Sequence, residues 1–113
     1  MSDPKNDFAK VLAAAAADYQ RQLPQKIADI DRLWAELASN GMTPGKLDEL
    51  VRMTHNIAGS ARVFGLAEAS EAARALEHCL GDFGQGHTPA EKAAYTRAEA
   101  LIAALQQSVP TSR

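Results

Sequence analysis

The chain has 113 residues, a formal net charge of −2 and 46% apolar residues, which is the composition of one globular domain rather than a disordered chain. The sequence pI of about 5.9 and the lack of a basic patch exclude nucleic acid from the expected partners. Cys79 is the only cysteine, which excludes an internal disulfide and a cysteine-rich zinc site.

Membrane insertion and export are also not expected. The longest apolar run, residues 11–17, is far shorter than the roughly 20 residues that span a bilayer. The N-terminus has no basic-then-apolar signal pattern. We therefore expect a cytoplasmic protein. We also expect a monomer with a single domain over residues 1–113, of which about residues 1–4 and 108–113 are frayed.

The first helical segment begins at Asp3-Pro4, an N-cap residue followed by proline at the first helical position. Pro24 lies inside the segment, so either the helix kinks there or a short first helix ends and a second begins. No capping residue precedes Pro24, which favours the kink. Apolar residues recur in steps of three and four and should face inward: Phe8, Leu12, Ala15, Tyr19, Leu23, Ile27, Ile30, Trp34 and Leu37.

Glycine and proline separate the elements that follow. Gly41 closes the first segment, and Thr43-Pro44 opens the next as a cap followed by proline. The inward stripe of this second element is Leu47, Leu50, Val51, Thr54, Ala58 and Ala61.

The third element is predicted from about residue 66 to residue 83, and Gly81, Gly84 and Gly86 mark the loop after it. Its inward residues are Leu66, Ala69, Ala73, Leu76, Leu80 and Phe83. The last helix begins at a capping box formed by Thr88 and Glu91 and runs to about Gln107, with Ala94, Ala98, Leu101, Ile102 and Leu105 apolar.

Short loops between amphipathic helices predict antiparallel neighbours. The expected fold is therefore all-α, an antiparallel up-down four-helix bundle with an additional N-terminal helical segment. Within it, Tyr19, Trp34 and Phe64 are most simply core or bundle-end residues.

His55 is the candidate for chemistry in this bundle. At about 100° per residue, its side chain points roughly 110° from the centre of the inward stripe, so the imidazole should be exposed on a rigid flank. Asp48, Arg52, Gly59 and Arg62 share that side of the helix. From periodicity alone, a solvated surface histidine explains the residue as well.

Gly59 is unexpected inside a helix, because glycine there costs about 1 kcal/mol relative to alanine. Helical side chains lean toward the N-terminus, so a side chain at position 59 would lie over His55. Glycine would leave the imidazole uncovered. The alternative is that the glycine permits close packing between helices.

The stretch from His55 to Gly65 resembles the signature of histidine-phosphotransfer (HPt) domains, His-x-[Leu/Ile]-Lys-Gly-[Ser/Ala]-x-x-x-x-Gly. His55, Ile57, Gly59, Ser60 and Gly65 match it at the right spacings. The segment from Leu66 to Glu77 is similar to the family's next helix. Helix order and length agree over nearly the whole chain.

The resemblance implies that His55 Nε2 takes a phosphoryl group from the phosphoaspartate of a response-regulator receiver domain and can return it. The receiver would supply Mg²⁺, and this chain would bind no cofactor or metal of its own. Response-regulator receivers and a hybrid sensor kinase are the implied partners. Because the chain has neither a P-loop nor a kinase glycine loop, it would carry phosphate without producing it.

The charge around His55 departs from the family pattern. The family's lysine, three residues after the histidine, is Ala58 here, although a dianionic phosphohistidine favours a nearby cation or donor. We expect Arg52 or Arg62 to replace part of that charge, and solvated helix-face arginines are the equal alternative.

Glu77 is the expected partner of the imidazole, because several HPt-like domains have Glu or Gln at this offset of 22 residues. A carboxylate that accepts Nδ1–H would fix the tautomer and leave Nε2 as the nucleophile; a solvated glutamate is the alternative. The remaining histidines, His78 and His87, have no metal-ligand spacing.

Recognition of the receiver should use a small mixed patch around His55. The residues expected in it are Asp48, Val51, Asn56, Val63 and Phe64. Two rival interpretations remain open: a helical adaptor bundle in which His55 has no chemistry, and an HPt-fold domain that dimerises or binds a receiver without receiving phosphate.

Overall fold

The computed structural model describes residues 4–41, 43–84 and 91–109, and over those residues it consists of four α-helices without a strand. They are α1 (Pro4–Asn40), α2 (Pro44–Val63), α3 (Ala67–Gly84) and α4 (Glu91–Gln107). Each helix packs against the one before it, and α4 also packs against α1, which closes the ring. The predicted up-down four-helix bundle is confirmed.

The core runs through all four helices and is mostly aliphatic. Its fully buried members include Leu23, Ile30, Leu37, Leu50, Leu76, Leu80 and Leu105. Ile57, which lies outside the predicted stripe of the second element, is also buried. Residues recurring every three or four positions therefore supply the burial that stabilises the bundle.

Aromatic contacts fix the two ends of the bundle. Trp34 of α1 meets Phe83 of α3 and Tyr95 of α4, with ring centroids 5.9 and 5.6 Å away and edge-on geometry. At the other end, Tyr19 of α1 packs on Phe64 after α2, with centroids 5.1 Å apart. These pairs set the axial register of α1 against its neighbours.

Helix α1 is much longer than the others and extends beyond them. Its 37 residues span about 55 Å, against roughly 30 Å or less for each of the other helices. Phe8 and Leu12, predicted to face inward, are instead 70% and 41% exposed. That prediction was wrong because, in the described part of the chain, no other helix reaches far enough to cover them. The predicted N-terminal segment is the first part of α1, which continues through Pro24 as one helix.

The helix ends agree only in part with the predicted caps. Gly41 has a φ of 108°, and its N–H donates to the Leu37 carbonyl at 2.9 Å. Thr43 occupies the N-cap position of α2, but its side chain makes no capping hydrogen bond.

The predicted loop after the third element begins later than expected, because α3 continues through Gly81 to Gly84. Gly86 and Thr88 lie outside the described residues, as does the predicted capping box. Among the described residues, no helix is long and apolar enough to cross a membrane.

Candidate functional site

His55 projects from the middle of α2 into solvent, with 68% of its side chain exposed. The opposite face of the helix is buried in the core through Leu50, Ile57 and Ala61. Next to the histidine, the buried Thr54 hydroxyl donates to the Leu50 carbonyl at 2.8 Å. The imidazole is therefore accessible while the backbone that carries it is packed.

Glu77 of α3 is the partner of the imidazole. Its Oε2 lies 2.7 Å from Nδ1 of His55, and its side chain is 29% exposed. An ionised carboxylate can only accept a hydrogen bond, so this contact requires the proton on Nδ1. The arrangement leaves Nε2 unprotonated in the neutral ring and directed away from Glu77.

The register between α2 and α3 brings this pair together. The two helices are joined by residues 64–66, where Gly65 has a φ of 78° and Leu66 N–H donates to the Ala61 carbonyl at 2.8 Å. Further along, Ser70 Oγ donates to the Ala58 carbonyl at 2.7 Å. These bonds hold the helices close enough for Glu77 to reach His55.

Ala58 is one of the buried residues where α2 packs against α3, with 5% of its surface exposed. A lysine stem at this position would emerge from the interface between α2 and α3. The small side chain of Ala58 therefore fits the close packing of the two helices. The lysine that the HPt pattern has at this position is replaced, so its positive charge is absent.

Gly59 faces open space rather than a neighbouring helix. Among the residues that the structure describes, a Cβ placed on it would meet no atom within 4 Å outside the local backbone. The interpretation that this glycine permits close helix packing is therefore wrong. Its lack of a side chain leaves the surface next to His55 open on the C-terminal side.

The two arginines expected near the phosphoryl group, Arg52 and Arg62, are both exposed. Neither forms an ion pair with the residues that the structure describes. Arg62 lines a cleft between α2 and α3, and Arg74 of α3 lines the same cleft. Arg74 was missed in the sequence, although it precedes Glu77 by one helical turn.

The residues expected to contact the partner differ in their exposure to solvent. Asp48 and Asn56 are exposed, and Val63 is 69% exposed. Val51 and Phe64 are half-buried and pack against the core. The Phe64 ring lies on Tyr19, so it also has the bundle-end role that the sequence predicted.

Two buried groups near the core have perturbed acidities. Burial raises the pKa of Tyr19, and the nearby Ser60 side chain offsets part of that shift, although the buried Tyr19 hydroxyl has no hydrogen-bond partner within the described part of the chain. Burial also raises the pKa of the Cys79 thiol; Arg97 opposes this shift and Asp82 adds to it. Both groups therefore favour their neutral forms, as core residues do.

The other candidate ligands do not assemble into a second site. His78 is exposed on α3, and His87 lies outside the described residues. In the part of the chain that the structure describes, no group of three or more His, Cys, Asp or Glu side chains could hold a metal ion.

Comparison with known protein families identifies the family of the chain. The family model of the Hpt domain matches residues 14–108, which covers all of α2, α3 and α4 and most of α1. No curated protein and no solved structure matches the chain significantly.

Proposed function

The chain belongs to the Hpt domain family, whose function is histidine phosphotransfer in two-component signalling, and on that premise we propose that His55 is its phosphoryl acceptor. The observation that carries the proposal is the contact between Nδ1 of His55 and Glu77 at 2.7 Å. This contact orients the ring of His55. Because the ring is also exposed and its helix is packed against the core, Nε2 can act as an oriented nucleophile.

The proposed reaction needs no proton to leave the chain. The Nε2 lone pair attacks the phosphorus of an aspartyl phosphate on a receiver domain. As the N–P bond forms, the O–P bond breaks and its electron pair leaves with the aspartate carboxylate. The proton stays on Nδ1, and the Glu77 carboxylate stabilises the positive charge that develops on the ring. The reverse reaction follows the same path.

The partner supplies the rest of the chemistry in this proposal. Phosphoryl transfer depends mainly on positioning and on neutralising charge on the phosphoryl oxygens. The family resemblance assigns Mg²⁺ and a lysine to the receiver. The chain contributes the nucleophile, its orientation by Glu77 and the open surface at Gly59.

The partner class and location follow from the same premise. We infer that response-regulator receivers, and a hybrid kinase that carries one, are the partners of this domain. These partners would bind the domain in the cytoplasm, where the domain would be a monomer. The exposed Asp48, Asn56 and Val63 around His55 support a small transient docking surface.

The experiment is a transfer assay with phosphorylated receiver domains. Wild-type protein and the His78→Gln control should gain a label that is labile to acid and stable to base, whereas His55→Gln should gain none. His78 is a suitable control because it is exposed and adjoins Glu77. Binding of receivers without any label would favour an adaptor instead, and label on His55→Gln would overturn the assignment.

A further inference from the structure

A second feature of the His55 flank is a cleft of about 310 Å³ between α2 and α3. Small residues form part of its lining, namely Gly65, Ala67 and Ser70, and the longer side chains are those of Arg62, Arg74 and Glu71. Two arginines from two different helices therefore line one cavity.

The charge of these arginines is not neutralised within the described part of the chain. Elsewhere on the surface, Arg21 pairs with Asp18 and Arg32 with Asp29. Among the described residues, neither Arg62 nor Arg74 has such a partner, and Glu71 in the same cleft pairs with neither. The three side chains give the cleft a net charge of about +1, which favours an anion.

Antiparallel packing places the cleft beside the phosphoryl acceptor. Arg74 precedes Glu77 by three residues and Ala58 follows His55 by three, so both lie about 4.5 Å along the bundle axis in the same direction. Arg62 lies two turns from His55 on the same flank. A partner seated over His55 would therefore also cover the cleft, because even a small transient interface of about 500 Å² on each side extends about 12 Å from its centre.

The positive charge of the arginines could serve a docking partner or the phosphoryl group on His55. The direction in which the side chains lean distinguishes these two roles. Helical side chains lean toward the N-terminus of their helix, so Arg74 leans away from Glu77 and toward the Arg62 end. His55 leans toward Arg52, in the opposite direction. The guanidinium of Arg74 is thus better placed to meet a partner's side chain than the phosphoryl group on Nε2.

We propose that the cleft of Arg62 and Arg74 binds an acidic side chain of the receiver domain that docks on His55. The proposal rests on the phosphotransfer function and assigns the contact that orients the partner. A planar guanidinium pairs with a carboxylate through two parallel hydrogen bonds, and the small residues in the lining leave space for the carboxylate. Charges at the edge of an interface act mainly on the association rate and its salt dependence.

The test measures receiver-to-His55 transfer with Arg62→Gln, Arg74→Gln and Glu71→Gln, using a receiver that phosphorylates the wild type. Each arginine variant should raise KM about two- to fivefold, as expected for one exposed charge pair, with kcat unchanged. Glu71→Gln should lower KM, because it removes a repulsive carboxylate. Arg32→Gln, at an exposed position on α1, is the matched control and should leave KM unchanged. Arg74→Lys keeps the charge but not the bidentate geometry, so it should restore only part of the loss.

A partner-free reaction separates this inference from the proposed function. Phosphoramidate, a small phosphodonor, should label His55 at equal rates in the wild type and the cleft variants, and the label should decay equally. Unchanged KM in both arginine variants would overturn the docking role. A faster decay of the label in Arg74→Gln would also overturn it and assign the charge to the phosphoryl group. If neither receivers nor phosphoramidate label the wild type, the phosphotransfer function itself fails.

Discussion

Nδ1 of His55 and Oε2 of Glu77 lie 2.7 Å apart although the residues are 22 positions apart in the chain. The contact joins the middle of α2 to the middle of α3 and directs Nε2 to the solvent. Its geometry is set by two features between this pair and the α2–α3 connection, namely the tight turn at Gly65 and the hydrogen bond from Ser70 Oγ to the Ala58 carbonyl. A surface histidine is thereby held in one tautomer and one orientation.

Loss of the carboxylate should slow phosphoryl transfer. We expect Glu77→Ala to lower the transfer rate about fivefold, since a hydrogen bond of this kind contributes about 1 kcal/mol. The exposed Glu68 of α3 provides the control, because Glu68→Ala should leave the rate unchanged. Nitrogen-15 NMR of the ring should show the proton on Nδ1 in the wild type and a mixture of tautomers in Glu77→Ala. An unchanged tautomer and rate would contradict the orienting role.

Gly59 should respond in opposite ways to small and large substitutions. Gly59→Ala should stabilise the protein by about 1 kcal/mol, because the added Cβ meets no neighbour, and transfer should continue. Gly59→Gln should slow transfer roughly tenfold, since a long side chain there leans over His55 and displaces the reacting partner. Denaturant unfolding and the transfer assay measure the two effects. Equal transfer rates in both variants would show that the glycine does not serve access.

The N-terminal part of α1, which extends beyond the other helices, should contribute little to the free energy of unfolding. Leu23→Ala should lower the free energy of unfolding by about 2–5 kcal/mol, because it creates a cavity in the core. Phe8→Ala should change it by less than about 0.5 kcal/mol, as expected for an exposed position. Urea unfolding of the two variants is the measurement. A large loss in Phe8→Ala would mean that the ring is covered in solution.

Alkaline conditions should destabilise the bundle through its two buried acids. Burial raises the pKa of Tyr19 and of Cys79 above their ordinary values of 10.0 and 9.0. The unfolded chain therefore loses these protons first, so stability is fully present below pH 9 and falls as the pH rises through the folded-state values. Urea unfolding between pH 8 and pH 11 should show this decline. Cys79→Ala should show a smaller decline over the lower part of that range, and an identical profile would argue against the thiol's contribution.

The sequence predicts the bundle well because its signals are local. Pro44 and Gly41 mark helix ends whatever the rest of the chain does, and the apolar spacing from Tyr19 to Leu37 identifies a buried face. The same spacing continues to Phe8, where it gave a wrong result. Periodicity shows which face of a helix is apolar, but it does not show whether another helix is long enough to cover it.

The residues of the candidate site also differ in whether a local sequence signal identifies them. His55 and Gly59 stand out within one helix, and the offset to Glu77 comes from the family resemblance. Arg74 could not be selected from sequence alone, because its relation to Arg62 depends on the axial register between α2 and α3. That register is set by a three-residue connection and a buried serine. Gly65 in the connection matches the HPt signature, but the match does not give the axial register.

The most direct test of the phosphoryl-carrier assignment is NMR of the protein after phosphorylation, with phosphorus-31 coupled to the ring nitrogens of labelled histidine. We expect a single phosphoramidate bond at Nε2 of His55, with the proton retained on Nδ1. A bond at Nδ1 of His55 would contradict the orienting role of Glu77. A bond on His78, or no phosphohistidine with any donor, would contradict the assignment of His55 as the acceptor.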